Sequence, residues 1–194
     1  ATELVALAGK FADGDRQQRE LLWAAAIECR MHGLPEAARV DVADAIAVLD
    51  DSAGDPLLGI AAALVDDTGA GQRLRPHLPH LVDEFGDHPL ILMAMGFAAE
   101  AVAERGHALA CWLRVGNQSR HSGSSADECE SLRGSAQLLL VQGRLQAAAI
   151  AAQNAMRMAA DMNLPMTEAS AAAILARALT WQGHPMRARQ SLDH

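Results

Sequence analysis

A glycine between two apolar helical runs recurs in this chain at Gly33, Gly69, Gly106, Gly143 and Gly183, at intervals of 36, 37, 37 and 40 residues. No feature constrains the fold more, because units this short cannot bury an apolar face alone and must stack on their neighbours. Seven residues before each glycine stand Ala26, Ala62, Ala99, Ala136 and Ala176. Four before it stand Cys29, Val65, Val102, Leu139 and Leu179, and eleven before it Leu22, Leu58, Met95, Leu132 and Ala172. These offsets form the i, i+4, i+7 stripe of a helix, with alanine in its middle to admit a close neighbour. Five residues after the glycine come Ala38, Cys111, Ala148 and Ala188, the second unit departing with Leu74. Each unit therefore reads helix, corner, helix, with glycine supplying the left-handed residue that ends the first helix. The second corner, "LVDDTGAGQRL", fits the pattern least and could be anchored at Gly71 instead.

Composition agrees with an all-α chain. Alanine supplies 41 of the 194 residues, aromatics only 3%, and there is no tyrosine. Alanine is the strongest helix former, whereas the β-branched and aromatic residues that favour strands are sparse. The expected first helices lie near 18–32, 56–68, 89–105, 126–142 and 166–182. Second helices are expected near 35–50, 72–85, 107–121 and 144–162, and a last one begins at Pro185. Punctuation supports these limits: Asp55 reads as a cap before Pro56, Pro89 and Pro165 open helices, and Ser125 with Glu128 has capping-box spacing. One repeat domain over 1–194 is expected, with units near 18–55, 56–87, 88–123, 124–164 and 165–194.

The net charge of −8 argues against direct, non-specific nucleic-acid binding, which needs a basic surface. That charge is uneven. Residues 1–132 hold 10 basic and 21 acidic groups, whereas residues 133–194 hold 6 and 3. Cys29, Cys111 and Cys129 are far apart and form no CxxC pair, which predicts small buried apolar groups in a reducing, cytoplasmic compartment. No apolar run approaches the roughly 20 residues of a membrane span, and no signal peptide is read at the start. A chain opening on Ala1 is read as a piece of something longer.

Chemistry is harder to find. "RPHLPHLVDEFGDH" brings His77, His80, Asp83, Asp87 and His88 together, and His77 and His80 could share a helix face with Asp83 or Glu84 in a zinc site. The competing reading is a solvated surface helix, since HExxH and CxxC spacings are absent. "GNQSRHSGSSADECE" holds Ser, His and Asp in order, but its Ser/Gly content reads better as a flexible connection than as a catalytic triad. Met156, Met158, Met162 and Met166 read as gap fillers in a core short of rings. No catalytic residue and no cofactor is expected, and the lack of GxxxxGK[ST] excludes a phosphate-cradling loop.

Helical pairs at this period, with small residues at −7 and +5 from a corner glycine, resemble the tetratricopeptide repeat, though the chain mostly lacks its first-helix aromatic and closing proline. "QGRLQAAAIAAQNAMRMAADMNLPMTEASAAAILARALTWQGHPMRA" is similar to the repeat region of large MalT-like, LuxR-type bacterial regulators. The resemblance implies an α-solenoid of about five repeats in a right-handed superhelix, whose concave face is lined by the first helices. Its groove positions carry over to Trp23, Ile27, Arg30, Met31, Asp66, Asp67, Met93, Glu100, Glu104, Arg133, Gln137, Arg177 and Trp181. It further implies a protein segment or small effector as ligand. A nucleotide-binding switch before the repeats and a helix-turn-helix DNA reader after them would be further partners in the parent chain. A free-standing scaffold and a metal protein using His77 and His80 are the alternatives.

Overall fold

The computed structural model describes residues 1–11, 16–49 and 55–192. Among them every regular element is helical: α1 (Thr2–Ala8), α2 (Arg16–Met31), α3 (Glu36–Val48), α4 (Pro56–Val65), α5 (Ala70–Leu74), a 3-10 turn (Arg75–His77) and α6 (Leu78–Glu84). There follow α7 (Pro89–Ala101), α8 (Arg105–Ser122), α9 (Ser125–Val141), α10 (Leu145–Asp161), α11 (Pro165–Trp181) and α12 (Pro185–Gln190). Helix α1 was not expected from the sequence. Pro56, Pro89, Pro165 and Pro185 each stand first in a helix, where the missing N–H costs nothing.

The described chain divides into two compact units. One comprises Ala1–Gly86 and Ala94–His107, the other Asp87–Met93 and Ala108–His194.

In the second unit, α9 packs on α10, α10 on α11, and α9 also on α11. The core between them is mostly methyl groups: Ala136, Ala148, Ala149, Ala152, Ala176 and Ala178, with Leu140, Ile174, Leu175 and Leu179 between. Each buried methyl contributes only about 0.8 kcal/mol, so close approach over the whole length of the helices has to supply the stability. The bulky exception is Trp112 of α8, which is fully buried. Its indole lies on Gly134 of α9, where an added Cβ would fall 2.4 Å from the ring. Ser131 donates to the carbonyl of Trp112 at 2.6 Å, so the same close contact carries a buried hydrogen bond. All three cysteines are free and buried, as expected. Burial pushes the Cys111 thiol up to about 12 and Cys129 to about 11, leaving both protonated and inert.

The corners follow a stricter rule than the glycines suggested. Left-handed residues stand at Gly33, Ala103, Gly123, Gly143, Asn163 and Gly183, the last five evenly spaced by 20 residues. After each of the six, the next amide donates five residues back: Leu34 to Cys29, Glu104 to Ala99, Ser124 to Ser119, Arg144 to Leu139, Leu164 to Ala159 and His184 to Leu179. This is the Schellman closure of a helix end. Helices α8 to α12 accordingly begin at 105, 125, 145, 165 and 185, so the pair period here is 40 residues.

Two expected corners are therefore corrected. Gly106 lies inside α8, and Ala103 takes the left-handed conformation in its place. Gly69 has a φ of −89°, and its corner is closed by a side chain. The Asp66 carboxylate accepts from the amides of Thr68, Gly69 and Ala70 at 2.8–3.1 Å and from the Thr68 hydroxyl at 2.9 Å. These bonds hold the Asp66 carboxyl down at about 2. The second helix of that pair is not continuous either, because Pro76 and Pro79 break it into α5, the 3-10 turn and α6.

Among the caps, Asp55 behaves as read, accepting from Leu57 N at 2.9 Å. The other is shifted by one residue: Ser124, not Ser125, caps α9, and its hydroxyl meets Asp127 at 2.6 Å instead of a backbone amide. The stretch expected to be a flexible Ser/Gly connection is largely helix, since α8 runs to Ser122 and α9 starts at Ser125.

Candidate recognition surface

The positions predicted to line a groove fall in both compact units. In the first unit, α2 carries Trp23, Ile27, Arg30 and Met31. Trp23 is half-buried and borders a surface groove of about 630 Å³ together with Arg16, Arg19, Glu20, Asp55, Leu57 and Leu58. Asp55 serves two purposes there, capping α4 and accepting from Arg19 at 2.8 Å. Ile27 is half-buried. One turn on, the Arg30 guanidinium lies 5.9 Å from the centre of the Phe97 ring, and Met31 is exposed. Glu104, just before α8, is bound by Arg75, whose guanidinium lowers its carboxyl, with His107 Nδ1 at 3.6 Å. Glu100 is half-buried. Asp66 is committed to its corner, and Asp67 is exposed.

In the second unit, Met93 is buried, with 8% of its surface exposed, and so is not part of a surface there. Arg133 is largely covered. Its Nε and Nη2 both reach Glu130 Oε1, at 2.7 and 2.6 Å, and its guanidinium lies 5.9 Å from the Trp112 ring. Neither Glu130 nor Trp112 was picked out in the sequence. Gln137 is half-buried one turn later. Arg177 and Trp181, last on α11, are the most open of the set. Their side chains stack on one another at 5.5 Å, with Trp181 54% exposed.

The histidine cluster stays apart from any metal geometry. His77 and His80 are exposed, and His80 Nε2 is 3.9 Å from Glu84. Among the described residues no three His, Cys, Asp or Glu side chains come together as a metal site. In the Ser/His/Asp stretch, His121 Nδ1 meets the carbonyl of Asn117 at 2.6 Å instead of a serine hydroxyl. Of the methionines, Met156 packs against the alanine core, whereas Met166 is 67% exposed. No described helix is long and apolar enough to cross a membrane.

The arrangement sets arginine guanidinium groups against two indoles, covered at Arg133 and Trp112 and open at Arg177 and Trp181. Comparison with known protein families, curated proteins and solved structures finds no match for the chain.

Proposed function

We propose that this chain is a non-catalytic recognition module: an α-solenoid of about five tetratricopeptide-like helical pairs in a right-handed superhelix, part of a larger cytoplasmic bacterial regulator of the MalT-like, LuxR-type kind. The observation that supports it most is the run of identical Schellman corners 20 residues apart, which is how a repeated unit stacks without variation in its joints. In this reading the first helices of the pairs present Trp23, Arg30, Met31, Glu100, Glu104, Gln137, Arg177 and Trp181 to a protein segment or small effector. Binding biases a switch module elsewhere in the parent chain only by as much as the ligand discriminates between its two states.

The test is the reading frame on either side of the chain. A phosphate-binding loop before it and a helix-turn-helix after it are expected. Their absence, with a stop close behind His194, overturns the regulator and leaves a free-standing scaffold.

A further inference from the structure

Resting on the reading of this unit as a recognition surface, we infer that the end of the second unit formed by the Gly143 and Gly183 corners binds an acidic peptide segment carrying interspersed large apolar side chains.

The argument begins with charge. The chain is net −8, yet no Asp or Glu occurs from Ser131 to Ala160 or from Ala169 to Leu192. Helices α9, α10 and α11 alternate direction through three-residue corners, so the last turns of α9 and α11 and the first turns of α10 and α12 share one end of the unit. That end holds Arg144, Arg177, Arg187 and Arg189, all exposed, with His184 as the cap of α12. Among the described residues none of these arginines is in an ion pair, and Arg177 has the Trp181 face as its neighbour. The carboxylate nearest along α11, Glu168, stands in its first turn, 13 residues or about 20 Å from Trp181. Arginines at one end of a unit, none in an ion pair among the described residues, favour an anionic partner on an otherwise acidic protein.

Apolar groups select which anion. Val141 and Trp181 occupy the same register position, two before a corner glycine, in successive pairs, and are 39% and 54% exposed. Met186, in the first turn of α12, is 71% exposed. Interleaved arginine and apolar contacts fit a segment alternating carboxylates with Leu or Phe, where guanidinium forks pair with carboxylates and the indole takes the apolar side chain. A nucleic acid fits less well. Four arginines make a short footprint, and the rest of the chain is acidic and would repel a long polyanion.

The experiment is an anisotropy titration of the whole chain with a labelled 20-residue peptide alternating Glu and Asp with Leu and Phe. It is set beside the same peptide with Gln and Asn for its acids, and beside a single-stranded oligonucleotide. The acidic peptide should bind at least tenfold more tightly than the neutral one and weaken as salt rises. Arg177→Gln and Trp181→Ala should each weaken it about fivefold or more, while Arg157→Gln, an exposed residue of α10 away from these corners, leaves it unchanged. All three side chains are exposed, so the variants keep their helical circular dichroism. Equal binding of the neutral peptide, indifference to Arg177→Gln and Trp181→Ala, or tighter binding of the oligonucleotide would each overturn the proposal. The reading frames on either side judge the regulator reading separately, and no outcome of this titration alters them.

Discussion

At Gly134 a single hydrogen decides how closely α9 approaches the indole of Trp112. An alanine there places its methyl 2.4 Å from the ring, and the fully buried Trp112 has nowhere to retreat. Overpacking costs about 1–3 kcal/mol, against up to about 1 kcal/mol recovered in helix propensity. Gly134→Ala should therefore lower the midpoint of urea unfolding, with a net loss of about 1 kcal/mol. Gly106→Ala, also helical but with no atom within 4 Å of the added methyl, should raise it. Equal effects of the two would mean that packing on Trp112 is not what requires glycine. Asp66 shows the electrostatic counterpart. Its carboxyl lies at about 2 in the folded chain against an ordinary 3.8, held there by backbone amides and the Thr68 hydroxyl. A folded value below the unfolded one means a contribution fully present above about pH 4 and lost as pH falls through about 2. The difference in Tm between the native chain and Asp66→Asn should be constant from pH 5 to 7 and shrink below pH 4. A difference that held steady down to pH 2.5 would remove the charge from the account.

At the scale of elements, the corners explain both what was legible and what was not. Left-handed backbone penalises every residue with a Cβ, so glycine marks it in sequence, and Gly33, Gly143 and Gly183 were found for that reason. Asn163 tolerates the conformation less conspicuously, and Ala103 disguises it altogether. With Ala103 hidden, Gly106 was the nearest glycine, and the period there was read three residues out of step. The Asp66 corner was missed for another reason: side-chain acceptance of backbone amides needs no left-handed residue at all. The strain at Ala103 should be measurable. Ala103→Gly relieves a left-handed Cβ and should stabilise the chain by up to about 1 kcal/mol, whereas Gly183→Ala creates one and should cost about 1–2 kcal/mol. Thermal unfolding of both variants reads the two signs; the same sign for both would contradict the assignment of these corners.

Across the whole molecule, the helical class, most of the helices after α1 and the buried cysteines were legible because they follow from periodicity and composition. The candidate surface was legible only in part. Arg177 and Trp181 are open, but Arg133 lies against Glu130 and Trp112, and Met93 is buried. Register within a helix says which residues share a face, not whether a neighbour covers that face. The same dependence on neighbours governs stability. Helices α9, α10 and α11 meet through a core of their own, and α2, α4 and α5 make their contacts within the first unit. In such an architecture a local defect should loosen its own unit before it reaches the other. Hydrogen exchange followed by mass spectrometry tests this with two variants already motivated. Asp66→Asn should speed exchange in peptides covering 56–84 and leave 145–181 at the native rate. Gly134→Ala should do the reverse, exposing amides of 108–141 while 56–84 stay protected. If either variant raises exchange equally along the whole chain, the two compact units open as one cooperative body, and the additivity expected between changes in different units is lost with it.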